Sequence, residues 1–314
     1  MIKITFMGAG STVFLRNVLG DCIYTDALKG MEIALYDIDG QRLEQSAAIL
    51  EAINKGNGCP ASIRSYLGAE NRRKALSGAD FVINAIQVGG YDPCTITDFE
   101  IPKKYGLRQT IGDTLGIGGI MRALRTIPVL EGFARDMEAV CPNAWFLNYT
   151  NPMSMLTGYM LRYTGVKTLG LCHSVQTCSK TLMDAIGMSD RLEGRRELIA
   201  GINHMGWLLD IRDRDGNDLY PEIRRRAKEK NASEKHHDMV RFDYIEKLGY
   251  YCTESSEHNA EYNPLFIKSK YPDMIEDYQI PLDEYPRRCI KQIEGWNQEK
   301  ESILKDGAIT HTRS

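Results

Sequence analysis

The sequence predicts an α/β fold built on a doubly wound parallel sheet, followed by a smaller α+β domain. Short apolar runs rich in β-branched and aromatic residues alternate with amphipathic helical stretches over the first 195 residues. This alternation is typical of βαβ units. Beyond that point the alternation stops, so we expect domains at 1–195 and 196–314.

The individual elements follow from the periodicity of apolar residues and from the turn residues between the runs. We expect strands at residues 3–10, 32–39, 79–90, 144–152 and 167–174, and helices at 40–56 and 123–140. In the second domain, residues 208–223 predict a strand, an Asp-Gly turn, and then a second strand or the start of a helix. Residues 222–237 predict a charged helix that continues into a solvated loop.

Composition excludes several classes of function. A net charge of −3 provides no broad basic surface for nucleic acid or for anionic lipid. No apolar run reaches the roughly 18 residues that span a bilayer, and the opening MIKITFMGAG lacks the pattern of a secretory leader, so we expect a cytoplasmic protein. Eight scattered cysteines form no paired framework, so most are expected to be reduced thiols.

The motif GAGST at residues 8–12 predicts a dinucleotide-binding turn of the Rossmann type. Gly8 would allow the tight turn, and Gly10 would allow a pyrophosphate to approach the backbone N–H groups of the next helix, which begins around Ser11 and Thr12. Val13 stands where the usual third glycine would be. The alternative is an ordinary strand-turn-helix.

The end of the second predicted strand, YDID, carries two candidate ribose-binding carboxylates. Asp37 lies 27 positions after Gly10, and Asp39 follows closely. Either would hold the ribose 2′-OH of NAD and repel the 2′-phosphate of NADP. The alternative for Asp39 is a helix cap.

Two glycine-rich segments are further candidates. In QVGG, Gln87, Gly89 and Gly90 follow the third strand, where they would approach the cofactor or simply mark a turn. Residues 109–126 would fold over a bound ligand or act as a flexible connection.

Cysteine and histidine side chains follow two apolar segments. Cys172 and His173 come after the run TLGL, and His204 comes after IAGIN. A thiolate and an imidazole suit a divalent metal ion. Because they fill only two of its coordination positions, the others stay open for substrate oxygens. The alternatives are a buried thiol with a core histidine, or a nucleophilic cysteine.

Seven segments in this order resemble glycoside hydrolase family 4, in its melibiase-type α-galactosidase branch: GAGST, YDID, QVGGY, LNYTNPM, GLCHSVQ, GINHM and ESSEHNAEY. The resemblance covers essentially the whole chain. It implies a domain related to lactate and malate dehydrogenases, bound NAD, a manganese-type metal, reducing conditions and a homo-oligomer. It also implies that family members continue past residue 314, so the second domain would be truncated here.

The resemblance assigns roles to several residues. Cys172 and His204 fall on the family's metal ligands, and Asn148 falls on a substrate-binding asparagine with Asn151 as a neighbour. The alternative for both asparagines is hydrogen bonding that shapes a proline-containing turn. His173 stands where some branches carry an Asp proposed as the general acid.

Two further assignments concern the preferred substrate and the catalytic base. Asp113 is acidic and no Arg or Lys cluster flanks a substrate motif, so we expect unphosphorylated galactosides to be preferred. The catalytic tyrosine of phospho-glycosidase branches falls at Ser255, which cannot act as a base unaided. The remaining candidates for the base are Glu254, Glu257, His258 and Tyr262, and the alternative is a capped helix start.

The expected function is hydrolysis of α-galactosides such as melibiose and raffinose. The implied route is oxidation at C3 by NAD, deprotonation at C2, elimination and addition of water, which makes the family an exception to the two-carboxylate rule for glycosidases. The alternatives are an α-glucosidase or α-galacturonidase of the same family, an NAD-dependent hydroxy-acid dehydrogenase, or a non-catalytic NAD-sensing module.

Overall fold

The computed structural model describes residues 1–58 and 61–306, with the side chains of Thr12 and of residues 296–306 outside the described part. The chain divides into two compact units. The first comprises residues 1–94, 122–171 and the chain from 288 onward, and the second comprises residues 95–121 and 172–287.

Helices occur throughout both units. In chain order they are α1 (Thr12–Ile23), α2 (Gly40–Gly56), α3 (Arg72–Leu76), α4 (Ile96–Lys104), α5 (Gly116–Val140), α6 (Met153–Tyr163), α7 (Ser174–Ala185), α8 (Tyr220–Ser233), α9 (Met239–Leu248), α10 (Ser256–Glu261), α11 (Asp273–Asp277) and α12 (Glu284–Asp306).

The first unit contains a six-stranded parallel sheet. Its strands are β1 (Lys3–Met7), β2 (Glu32–Asp37), β3 (Ser62–Leu67), β4 (Phe81–Asn84), β5 (Trp145–Asn148) and β6 (Lys167–Gly170). They are arranged in the order β3-β2-β1-β4-β5-β6, and every neighbouring pair is parallel. This is the order of a doubly wound dinucleotide-binding sheet, so the predicted fold class is confirmed.

The sheet is buried on both faces. Phe6 packs with α1 and α2 in one apolar cluster, and Met7, the next residue of β1, packs with α3, α5 and α6 in another. Successive strand residues point to opposite faces, so helices cover both sides. The apolar runs that predicted the strands reflect this double burial.

The sequence prediction differs from the structure in two respects. The strand β3 was missed because it lies at the edge of the sheet and its side chains are mostly exposed, so SIRSYL has no apolar signature. All five predicted strands also end early, at Met7, Asp37, Asn84, Asn148 and Gly170. The residues after these strands form loops at the carboxyl edge of the sheet.

The second unit contains a three-stranded antiparallel sheet. Its strands are β7 (Arg196–Ile202), β8 (Met205–Arg212) and β9 (Tyr251–Cys252), in the order β7-β8-β9. After the Asp-Gly turn the chain enters α8, so the helical alternative holds, and α8 is the predicted charged helix. Apolar residues of α7, α8 and α9 pack with this sheet, which confirms the α+β character of this part.

The predicted boundary after residue 195 stays a prediction. The compact units are discontinuous in sequence, because residues 95–121 group with 172–287. Over the two described ranges, no helix has both the length and the apolar character that crossing a bilayer requires.

Candidate active site

The GAGST segment forms a tight turn at the end of β1. Gly8 has a φ of 87°, and a Cβ there would lie 2.8 Å from backbone atoms of Ala85 and Ile86, just past β4. Only glycine fits this close approach. Ser11 then donates its N–H to the Gly8 carbonyl (3.0 Å), and α1 begins at Thr12, whose side chain lies outside the described part.

Asp37 is held beside this turn at the carboxyl end of β2. Its carboxylate accepts the N–H of Gly10 (2.6 Å) and of Asp39 (2.9 Å). Asp39 caps α2 by accepting the N–H of Arg42 (3.0 Å), so the capping alternative is observed there. The position of Asp37, next to the glycine turn, is where a NAD-selecting carboxylate is expected, and this role stays a prediction.

The QVGG segment forms a turn after β4. Gly90 donates its N–H to the Gln87 carbonyl (3.2 Å), and Gly89 has a φ of 80°. A Cβ on Gly89 would overlap the Cys94 side chain. The turn alternative is therefore observed, while the contact of these residues with a cofactor stays a prediction.

Asn148 takes part in a buried amide network with the neighbouring strand. Its side-chain oxygen accepts the amide of Asn84 (2.9 Å) and the N–H of Thr150 (3.2 Å), while its own amide donates to the Thr157 hydroxyl (3.2 Å). This arrangement shapes the turn before Pro152, and Asn148 is fully buried. Asn151 is only half-buried. Substrate binding by either asparagine stays a prediction.

Cys172 lies between β6 and the first turn of α7. The N–H and the hydroxyl of Ser174 contact its Sγ at 3.5 and 3.4 Å. Burial alone would raise the pKa of Cys172, but hydrogen bonds with His204 and Ser174 outweigh burial and hold the pKa below its usual value. This environment favours the thiolate, which is the form that binds metals.

His204 lies in the tight turn between β7 and β8, in the left-handed conformation with a φ of 65°. Because β7 and β8 form an antiparallel hairpin, His204 follows an antiparallel strand, whereas Cys172 follows a strand of the parallel sheet. Burial lowers the pKa of His204, but the nearby Cys172, Glu254 and Asp113 raise it above the ordinary value. Backbone strain of this kind often accompanies functional side chains.

Glu254 completes a cluster with these two residues. Each of Cys172, His204 and Glu254 offers one atom that can bind a metal, and these three atoms lie within 4.8 Å of one another. Within the cluster, His204 Nε2 and Glu254 Oε2 lie 3.2 Å apart. Among the side chains that the structure describes, this is the one group of three with the proximity that a metal ion requires.

The other catalytic candidates surround this cluster. The Tyr262 hydroxyl lies 3.2 Å from His204 Nδ1, and burial raises the pKa of Tyr262 well above its ordinary value. The Ser255 hydroxyl lies 2.9 Å from Nδ1 of the buried His258, whose ring is 4.9 Å from that of His204. Burial lowers the pKa of His258, so its imidazole is neutral near pH 7. Their roles stay predictions.

Two predicted residues lie outside this inner group. His173 is exposed at the start of α7, and Glu257 is half-buried on α10. Neither contributes a donor atom to the three-residue cluster.

Comparison with known proteins decides the family. The model of the family 4 glycosyl hydrolases matches residues 3–188, and that of their C-terminal domain matches residues 199–313. The chain belongs to glycosyl hydrolase family 4. This membership confirms the expected class of enzyme.

Individual relatives support the same assignment. An α-galactosidase of Bacillus subtilis is 62% identical over all of this chain and 71% of its own length. An α-galactosidase of Rhizobium meliloti is 36% identical over 87% of this chain and 54% of its own length. A solved 6-phospho-α-glucosidase from gut microorganisms, in complex with NAD and Mn²⁺, has 19% identity and a TM-score of 0.75 over all of this chain and 70% of that one.

Sequence analysis did not identify the half-buried carboxylate of Glu261. Glu261 of α10 accepts three successive backbone N–H groups, from Thr110 (2.7 Å), Ile111 (3.2 Å) and Gly112 (2.8 Å). It thereby fixes the loop that carries the buried Asp113. Its partners lie about 150 residues away in sequence, so no local pattern reveals them. The loop is anchored, contrary to the alternative of a flexible connection.

Proposed function

We propose that this chain hydrolyses α-galactosides and requires bound NAD and a divalent ion of the manganese type. The observation that carries the proposal is the convergence of a thiol, an imidazole and a carboxylate in a family 4 chain that is 62% identical to an α-galactosidase. The glycine turn with Asp37 supports the requirement for NAD.

The side chains present fit a resident divalent ion. Cys172 is biased towards the thiolate by Ser174 and His204, and His204 turns one ring nitrogen to Tyr262 and the other to the cluster. A hydrogen bond to the second nitrogen is the usual way in which proteins orient a metal-binding histidine. Cys172 and His204 would hold the ion, and Tyr262 would fix the ring of His204.

The first unit likewise fits a dinucleotide. The glycine turn admits no side chain at Gly8, and the carboxylate of Asp37 is held in place by two backbone N–H groups. Asp37 would hold the adenosine ribose and exclude NADP, and the start of α1 would face the pyrophosphate.

When bound, NAD supplies a reversible hydride acceptor for C3 of the sugar, and the ion supplies Lewis-acid stabilisation of charge on the O2 and O3 oxygens. The protein must then remove the C2 proton and protonate the leaving oxygen. We assign the acid to His173, which is exposed beside Cys172. We assign the base to one member of the group formed by Glu254, Ser255, Glu257, His258 and Tyr262. Asp113, Asn148 and Asn151 are assigned to substrate binding.

The proposal extends to the setting of the enzyme. A functional thiolate requires reducing conditions, and all seven described cysteines are free, so we propose a cytoplasmic location. We also propose a homo-oligomer that acts on a small sugar, with neither nucleic acid nor a membrane as its partner.

The test is hydrolysis of melibiose and raffinose, with NAD, Mn²⁺ or thiol omitted one at a time. We expect each omission to abolish release of galactose, and NADH not to accumulate. Accumulation of NADH in proportion to substrate consumed would indicate a dehydrogenase. Parallel assays on an α-glucoside and an α-galacturonide separate the alternatives within family 4.

A further inference from the structure

Glu254 occupies a fixed position next to His204. The segment after β9 is tied to β8, because Thr253 donates its N–H to the Gly206 carbonyl (2.8 Å). Glu254 follows immediately, and its Oε1 accepts the N–H of Ser255 (2.8 Å). Oε2 is thereby directed at His204 Nε2, 3.2 Å away. The antiparallel sheet whose β7–β8 turn carries His204 therefore also holds the segment that carries Glu254.

The geometry of the three donors matches that of ligands to one ion. Two donors bound to one metal at about 2.0 to 2.3 Å are separated by at most about 4.5 Å. The donor atoms of Cys172, His204 and Glu254 lie within 4.8 Å of one another, so a shift of a few tenths of an ångström would bring all three to bonding distance.

The chemistry of the set also suits a catalytic divalent ion. A carboxylate is a ligand that Mn²⁺ prefers, and a thiolate together with a carboxylate would balance the two positive charges of the ion. Three protein ligands leave positions open for substrate oxygens, as in other catalytic metal sites.

We propose that Glu254 is a third protein ligand of the divalent ion and not the base that removes the C2 proton. The proposal rests on the metal requirement of the proposed function. It follows from the orientation of both carboxylate oxygens, since one accepts a backbone N–H and the other faces the imidazole of His204. The base is then restricted to the remaining candidates: Ser255, Glu257, His258 and Tyr262.

The test is a titration with Mn²⁺ alone, in which free Mn²⁺ is followed by electron paramagnetic resonance. The proteins are the wild type, Glu254→Gln, Glu254→Asp and Cys172→Ser, with Glu246→Gln as a control. Glu246 is an exposed glutamate of α9 that pairs with Lys228, so the control makes the same chemical change outside the cluster. Thermal unfolding of each variant verifies its fold.

We expect Glu254→Gln to weaken Mn²⁺ binding at least about tenfold, because even residues that only support a ligand change affinity by about 10- to 100-fold. Cys172→Ser should show a loss at least as large, Glu254→Asp an intermediate loss, and Glu246→Gln none. With Co²⁺ in place of Mn²⁺, Glu254→Gln should alter the d–d absorption bands while the sulfur-to-cobalt charge-transfer band remains.

Binding of Mn²⁺ by folded Glu254→Gln at wild-type affinity, together with its loss in Cys172→Ser, would overturn the proposal and leave the proposed function intact. Failure of the wild-type protein itself to bind Mn²⁺ would overturn both. If Glu254→Gln does not fold, Glu254→Asp decides the matter, since wild-type affinity and an unchanged Co²⁺ spectrum in that variant would contradict ligation.

Discussion

The glycine turn of the first unit and the three-residue cluster of the second unit are built on different principles. The turn is local, since Gly8, Gly10 and Asp37 lie at the ends of two adjacent parallel strands. The cluster joins Cys172, His204 and Glu254 from three separate segments. A local motif is visible in the sequence. A cluster of this kind depends on contacts between segments that are distant in the sequence, so substitutions that remove those contacts should have the largest effects.

The largest effect is expected from the buried ion pair that contacts residues on either side of Glu254 in the sequence. Arg241 and Asp238 are almost fully buried, and Asp238 also accepts the hydroxyls of Ser256 and Tyr251. This network anchors the segment that carries Glu254. Arg241→Met leaves the charge of Asp238 buried without its partner, so the free energy of unfolding should fall by about 3 to 5 kcal/mol.

Urea denaturation measures this change. The matched control is Arg225→Met on α8, which removes an arginine from exposed pairs with Glu222 and Glu229 and should cost less than about 1 kcal/mol. Equal losses in the two variants would show that the cluster lacks the proposed support.

The next effect concerns Glu261, the carboxylate that anchors the loop 110–112. Burial raises its pKa to about 7, although hydrogen bonds from Gly112 and Thr110 oppose the shift. The folded protein therefore holds this proton more tightly than the unfolded chain does. The resulting stabilisation is fully present below about pH 4.5 and is lost as the pH rises through about 7.

Relative to Glu261→Gln, the wild-type free energy of unfolding should thus fall by on the order of 3 kcal/mol between pH 4.5 and 8. Urea denaturation at stepped pH values measures the difference. Parallel pH profiles for the two proteins would mean that Glu261 does not titrate in this range.

In the first unit, Gly8→Ala should destabilise the protein by about 1 to 3 kcal/mol and weaken NAD binding, because the new methyl group meets the backbone of Ala85. Gly78→Ala is the control, since Gly78 also has a positive φ, 70°, but no atom lies within 4 Å of a Cβ there. Comparing the two by thermal unfolding separates the steric clash from the conformational strain. Equal destabilisation would show that the close approach is unimportant.

The smallest effect is expected at Asp37, the carboxylate proposed to hold the ribose. Asp37→Ala removes a charged acceptor, so NAD affinity should fall about tenfold and NADP should be tolerated better. Asp39→Ala should instead cost about 1 kcal/mol of stability, because Asp39 caps α2. Calorimetric titration with both cofactors checks this, and an unchanged NAD affinity in Asp37→Ala would reject the assignment.

The local glycine turn could be predicted from the sequence more completely than the three-residue cluster. Apolar runs and the glycine motif predicted the strands of the doubly wound sheet, but the edge strand β3 was missed because its residues are exposed. Cys172 and His204 were identified as a metal pair, yet Glu254 was expected only as a base. The anchoring role of Glu261 gave no signal, because its partners are about 150 residues distant. Residues that act through long-range contacts leave no periodicity to detect.

The central claim is hydrolysis through oxidation at C3 and loss of the C2 proton, and solvent isotope exchange tests it most directly. Melibiose is hydrolysed in deuterium oxide, and the released galactose is examined by NMR, with free galactose and protein as the control for later exchange. The account predicts deuterium at C2, since the base exchanges its proton with solvent before C2 is reprotonated. Galactose that retains protium at C2 would contradict it and would indicate direct displacement through an oxocarbenium-like transition state.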